Sequence, residues 1–156
     1  MNTESAHRDP ADAIFAQAAE RARSKSLPYF GEVTPAEAWA LMRAGAARIV
    51  DVRTHAEWTY VGRIDGTPLV EWRALGAQQT NPDFLTQLAE QVTPDVPVMF
   101  LCRSGVRSHG AAQLATQAGY TRAMNILEGF EGDLDANGHR GTVGGWRKAS
   151  LPWVQS

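Results

Sequence analysis

Cys102 is the only cysteine in the chain, and its surroundings suit a nucleophile. It follows the apolar run Pro97-Val98-Met99-Phe100-Leu101 and precedes Arg103-Ser104-Gly105-Val106-Arg107-Ser108, after which alanines recur at helical spacing. The pattern is a buried strand, a tight polar loop and a helix, with a thiol at the strand's end. Such a loop can turn backbone N–H groups inward, and the N-terminus of the following helix adds positive potential. Arg103 and Arg107 add full charges. All three effects favour the thiolate, which is the reactive form of cysteine. An isolated cysteine is more often a small buried hydrophobe, but this basic loop at a strand end favours the catalytic reading of Cys102.

Around the thiol, Arg103 and Arg107 suit an oxyanion, because guanidinium groups hydrogen-bond planar or tetrahedral oxyanions well. Ser104 offers a hydroxyl either to the sulfur or to the loop itself. Gly105 fits a special backbone angle better than chemistry. Val106 completes the loop, and Ser108 reads as the cap of the next helix. Asp51 and Arg53 are supporting candidates: an aspartate at a strand end caps the next turn or pairs with an arginine to hold the loop. Trp72 is a candidate pocket wall, with a core or subunit contact as its alternative. A contact surface at Trp153 is a further expectation.

Length and charge narrow the classes. The chain has 156 residues, enough for one domain with a real core, and a formal net charge of −2 from mixed signs. That balance argues against nucleic-acid binding. No apolar stretch approaches the roughly 18–20 residues that span a bilayer, and the polar start of the chain, Met1 to Pro10, lacks the apolar centre of a secretory signal. One cysteine forms no internal disulfide, so a cytoplasmic enzyme is the expectation. Metal ligation is not expected: His55 and His109 lack ligand spacing, and His7 and His139 have no supporting context. Asp133-Leu134-Asp135-Ala136-Asn137-Gly138 imitates the start of a calcium loop, but Gly144 stands where the loop needs glutamate.

The elements that must position Cys102 follow from periodicity. Ala11 to Lys25 is helical, with Ile14, Phe15, Ala18, Ala19 and Ala22 on its apolar side, and reads as an appendage packing on the main domain. Leu27 to Gly31 breaks it. Thr34-Pro35-Ala36-Glu37 is a capping box with proline at N1, opening a helix that ends near Gly45. Arg48 to Val52 is a strand, Thr54 to Trp58 a helical turn, and Pro68-Leu69-Val70 a short extended piece. Asn81-Pro82 opens a helix reaching Val92. Pro97 leads into the strand ending at Leu101, a helix runs to about Gly119, and Ala123 to Ile126 is another strand. Strands alternating with helices imply a largely parallel sheet covered on both faces. In such sheets, sites lie at the carboxyl ends of strands, where both Asp51 and Cys102 fall.

Several segments, in order, resemble the rhodanese family: Ile49 to Thr54 followed by Glu57-Trp58, Gly62-Arg63-Ile64 with Gly66, Cys102 to Ser108, Leu127-Glu128-Gly129-Phe130, and Gly145-Trp146-Arg147 before Leu151-Pro152. The likeness spans about Thr34 to Pro152. It departs at Arg63, where the family commonly carries histidine in a position we read as structural. The resemblance implies a three-layer α/β/α domain over 31–156 with a five-stranded, mainly parallel sheet, preceded by an N-terminal helical extension over 1–30. It also implies sulfur transfer without metal or cofactor. The Cys102 thiolate takes the outer sulfur of a donor such as thiosulfate, and the resulting persulfide passes it to cyanide, a small thiol or a protein acceptor. With no second cysteine, no resolving disulfide competes.

Two other readings stay open on the residues alone. A persulfide carrier serving a protein partner would use the same Cys102, whereas partner-binding or sulfur-sensing modules of the family typically lack the cysteine, so its presence with both arginines argues for activity. A cysteine phosphatase or arsenate reductase would place its arginine after five intervening residues. Here Arg107 follows after four, which makes a smaller cradle.

Overall fold

In the computed structural model, which describes residues 10–155, the described residues form nine elements. They are α1 (Pro10–Lys25), β1 (Gly31–Val33), α2 (Pro35–Arg43), β2 (Arg48–Asp51), α3 (His55–Tyr60), α4 (Phe84–Gln91), β3 (Val98–Leu101), α5 (Val106–Gln117) and β4 (Ala123–Ile126). The strands pair in parallel in the order β1-β4-β3-β2. Val98 of β3 sits opposite both Arg48 of β2 and Ala123 of β4, so β3 and β4 end side by side.

The strand residues are buried on both faces, apart from Arg48 at the start of β2. Alternation along the pleat sorts them into two layers. Met99, Leu101, Met124 and Ile126 pack with Phe15 and Ala18 of α1 and with Ala38 and Leu41 of α2. Val98, Phe100, Val50 and Ala123 pack with Phe84 and Leu88 of α4 and with Ala111, Ala112 and Ala115 of α5. The result is the expected α/β/α sandwich. Among the described residues, no helix is long and apolar enough to cross a membrane.

Four strands form where five were expected. In the fifth position, beside β2, there is only one parallel bridge, between Asp51 and Leu69. The Asp51 N–H donates to the Pro68 carbonyl at 3.0 Å and the Val70 N–H to the Asp51 carbonyl at 2.9 Å. Pro68 has no N–H of its own, which limits the ladder there. Conversely, β1 carries no sequence signal: it is three residues long and begins with glycine.

Local capping fixes the helix starts. Thr34 and Glu37 form the expected capping box on α2, and Thr54 with Glu57 repeats it on α3. Ser108 does not cap α5. That helix begins at Val106 behind Gly105, whose φ of 108° lies in the left-handed region, and Ser108 is buried inside the helix.

Helix α1 lies tightly on the sheet. A Cβ on Gly31 would stand 2.6 Å from the Ala18 backbone, so glycine permits the close approach. Arg21 binds Glu37 of α2 at 2.6 Å and the Glu32 carbonyl at 2.8 Å. Gly31→Ala is therefore expected to lower stability by about 1–3 kcal/mol through overpacking, seen as a lower urea midpoint with an unchanged m-value. An unchanged midpoint would mean that α1 shifts outward at no cost.

Candidate active site

Strand β3 delivers Cys102 to the sheet's carboxyl end, and α5 begins four residues later. The thiol is only 1% exposed, yet it lines a cavity of about 210 Å³ together with Arg73, Arg103, Ser104, Val106 and Arg107. Its Sγ accepts a hydrogen bond from the Gly105 N–H at 3.0 Å. The left-handed turn at Gly105 aims that N–H back at the sulfur, a conformation a side chain would strain. The sulfur also faces the N-terminus of α5, where backbone dipoles favour negative charge.

The serine at the sulfur is Ser108, not Ser104. Its Oγ lies 3.2 Å from Sγ and donates to Asn125 Oδ1 at 2.5 Å. Asn125 in turn donates through Nδ2 to the Gly105 carbonyl at 3.1 Å. That second bond fixes the amide's orientation, because only Nδ2 can donate to a carbonyl. Oδ1 must then face Ser108. Asn125 escapes a sequence reading because it sits mid-strand in β4, far along the chain from Cys102. Ser104 makes no hydrogen bond through its hydroxyl among the described residues.

Arg107 is not a free cation. Its two terminal nitrogens fork onto Glu57, at 2.7 and 2.8 Å. Glu57 is itself held by the α3 capping box: its carboxylate accepts from the Thr54 N–H at 3.1 Å. Burial alone would raise the Glu57 pKa. The Arg107 hydrogen bonds, the Thr54 N–H and the Arg107 charge outweigh burial and bring it down to about 2. Arg107 thus stands at the cavity wall with a fixed direction. Arg103 is exposed and lines the same cavity. Arg73, also at the cavity, comes from an irregular segment whose position no local sequence pattern reveals.

Asp51 and Arg53 are fully buried and bind each other rather than lining the cavity. Arg53 Nε lies 2.9 Å from Asp51 Oδ1, its Nη2 lies 2.6 Å from Oδ2, and Nη2 also donates to the Gly62 carbonyl at 2.7 Å. The guanidinium lies over the Phe130 ring, 4.4 Å from its centroid. Trp72 likewise does not wall the cavity. Its ring meets Phe84 edge-on at 5.0 Å and abuts Gly110 of α5. Trp153 packs edge-on against Phe130 at 5.9 Å. Arg63 lies over the Trp58 ring at 4.3 Å, and its backbone bridges Val154.

The remaining polar motifs are engaged elsewhere. His109 accepts or donates at Nδ1 to the Tyr29 hydroxyl, 2.8 Å away, and burial pushes the Tyr29 phenol up to about 12. His55 stacks on Trp58. Asp135 accepts from the Asn137 and His139 N–H groups and from Thr142 Oγ1, which makes its loop a self-bonded turn. His7 lies outside the described residues. Among those described, no group of three or more His, Cys, Asp or Glu side chains could hold a metal ion. A wider cleft of about 710 Å³, lined by His55, Glu71 and parts of residues 74–91, contains no cysteine.

A parallel α/β/α sheet that ends in a cysteine loop at a helix N-terminus defines a class of domain, and the comparisons give its family. The model of the rhodanese-like domain matches residues 34–135. The chain belongs to the rhodanese family. The crystal structure of Rv0390 from M. tuberculosis is similar at a TM-score of 0.75 and 47% identity, over 82% of this chain and 99% of that one. The uncharacterized protein RP600 of Rickettsia prowazekii is 37% identical over 110 residues, 69% of this chain and 82% of its own length. The thiosulfate sulfurtransferase GlpE of Haemophilus influenzae is 29% identical, over 79% of this chain and 93% of its own. Helix α1 and strand β1 precede the matched residues.

The Glu57–Arg107 pair makes stability depend on acid. A carboxylate with a depressed folded-state pKa contributes its stability above the unfolded value, 4.5, and loses it as pH falls towards about 2. We expect a loss of about 2 kcal/mol across that window, allowing for solvent at a side chain 17% exposed. Glu57→Gln should be less stable at pH 7 and show a flatter profile between pH 5 and 2. Parallel profiles in urea titrations of the two proteins would refute the pairing's contribution.

Proposed function

We propose that the protein is a sulfurtransferase that moves sulfane sulfur from a donor such as thiosulfate to a thiophilic acceptor through a persulfide on Cys102. The observation that carries this reading is the cavity itself. A sulfur nucleophile at a helix N-terminus, with a backbone N–H at 3.0 Å, opens into a space walled by Arg73, Arg103 and Arg107. Similarity to a thiosulfate sulfurtransferase supports it.

The chemistry follows from charge. Thiosulfate is a dianion approaching an anionic sulfur, and the arginines offset the repulsion. The Cys102 thiolate bonds to the outer sulfur, the S–S bond of thiosulfate breaks, and sulfite leaves with the electron pair. An acceptor such as cyanide or a thiol then takes the outer sulfur and returns Cys102 to thiolate. Covalent catalysis of this type divides one transfer into two easier displacements and gives ping-pong kinetics. Neither displacement needs a metal or cofactor. A protein acceptor would discharge the same persulfide. We place the protein in the cytoplasm, where a lone thiol stays reduced.

Incubation with thiosulfate should add one sulfur atom, about 32 Da, to Cys102 in intact-mass spectra. Cyanide should remove it with release of thiocyanate. Cys102→Ser should gain no mass and show no turnover while keeping its thermal transition. Turnover in that variant, or no adduct on reduced wild-type protein, would overturn the assignment.

A further inference from the structure

The space around Cys102 is larger than the proposed donor requires. The cavity at the sulfur, about 210 Å³, falls below the roughly 300–1,000 Å³ typical of organic-ligand pockets. A groove of about 550 Å³ borders it, sharing Arg73, Arg103 and Arg107 and adding Arg140. The two volumes suit two different molecules.

The groove's charge is unbalanced. Its carboxylates are already engaged: Glu57 is forked by Arg107, and Glu131 lies 3.9 Å from Arg147. Arg73 and Arg103 are exposed and make no side-chain hydrogen bond or ion pair among the described residues. Arg140 donates to the Gly132 carbonyl at 2.7 Å but forms no ion pair there. Besides the charged groups and Thr54, the lining is apolar, from Val61, Ala74, Leu75 and Ala77. A ligand that satisfies both features has a carbon skeleton and more than one negative charge.

We propose that this groove is the acceptor subsite and takes an organic thiol bearing two or more carboxylates, which lie against Arg73, Arg103 and Arg140. The proposal rests on the reading of Cys102 as a persulfide carrier. The acceptor thiol gives its proton to solvent, and its thiolate attacks the outer sulfur of the persulfide. A new S–S bond forms on the acceptor, the Cys102 S–S bond breaks, and its electron pair returns to Sγ. No net oxidation occurs.

Leu75 gives a test outside the reacting groups, because it is 74% exposed and lines the groove. Wild type, Leu75→Glu and Leu75→Arg are first loaded with thiosulfate, and the sulfur adduct is verified by mass. Discharge is then timed with mercaptosuccinate, a dianionic thiol, and with 2-mercaptoethanol, a neutral one, at low salt. Leu75→Glu should slow mercaptosuccinate about threefold and Leu75→Arg should speed it by about the same factor, as expected for partly screened surface charges. With uncharged 2-mercaptoethanol the two variants should match each other, so that only mercaptosuccinate separates them by the sign of their charge, and added salt should erase that separation. Equal effects on the two thiols, or none with mercaptosuccinate, would overturn the subsite while leaving sulfur transfer intact. Failure of wild type to load would overturn both.

Discussion

The geometry at Cys102 depends on a backbone clamp. The Cys102 carbonyl accepts from the Phe130 N–H at 2.8 Å, and the Arg103 carbonyl accepts from the Glu131 and Gly132 N–H groups at 3.0 and 3.1 Å. These bonds join the loop after β3 to the loop after β4. The contact requires glycine at 129, whose Cβ would stand 2.5 Å from the Cys102 carbonyl oxygen. The C-terminal segment closes the clamp from behind. The Trp146 N–H donates to the Gly129 carbonyl at 2.8 Å, and Trp146 itself is fully buried. A cysteine loop with free ends would lose entropy each time it formed its anion-facing conformation. Here that ordering is completed during folding.

Two arginine–carboxylate pairs divide the electrostatic work. Asp51 and Arg53 are withdrawn from water altogether, which costs desolvation energy on both sides. Several hydrogen bonds and the face of Phe130 compensate, and the pair fixes the end of β2 against the clamp. Glu57 and Arg107 remain partly exposed at the cavity wall. There the ionised carboxylate holds the cation in one direction and offsets part of its charge. An arginine already held in place loses less side-chain entropy when an anion arrives, so positioning compensates for the charge that Glu57 neutralises.

What the sequence reveals divides along the line between local and distant contacts. The capping box at Thr34 and the limits of β4 are local, and they appear where periodicity puts them. So does the strand–loop–helix around Cys102. Ser108 looks like a cap for the same reason, because a serine near a helix start usually is one. Its true partner, Asn125, is seventeen residues away and adjacent only because β4 lies beside β3. Arg73 comes from a stretch without periodicity, and its place at the cavity is set by the return of the chain along β2. The fifth strand fails on one residue, Pro68, whose missing N–H a reading of apolar runs does not weigh.

Burial of the nucleophile separates the two halves of the proposed reaction. Cys102 Sγ lies at the floor of its cavity, 1% exposed, and is reached only by a narrow reagent. A persulfide moves the reactive atom outward by one S–S bond, about 2 Å. The outer sulfur then stands nearer the mouth, where Arg73, Arg103 and Arg107 also border the groove. In the proposed reaction, loading then selects for a small anion that fits the inner cavity. The proposed discharge lies further out and accommodates a larger acceptor. Arg73 and Arg103 border both spaces and serve both proposed steps, with the thiol's own depth deciding which molecule can reach sulfur at each stage.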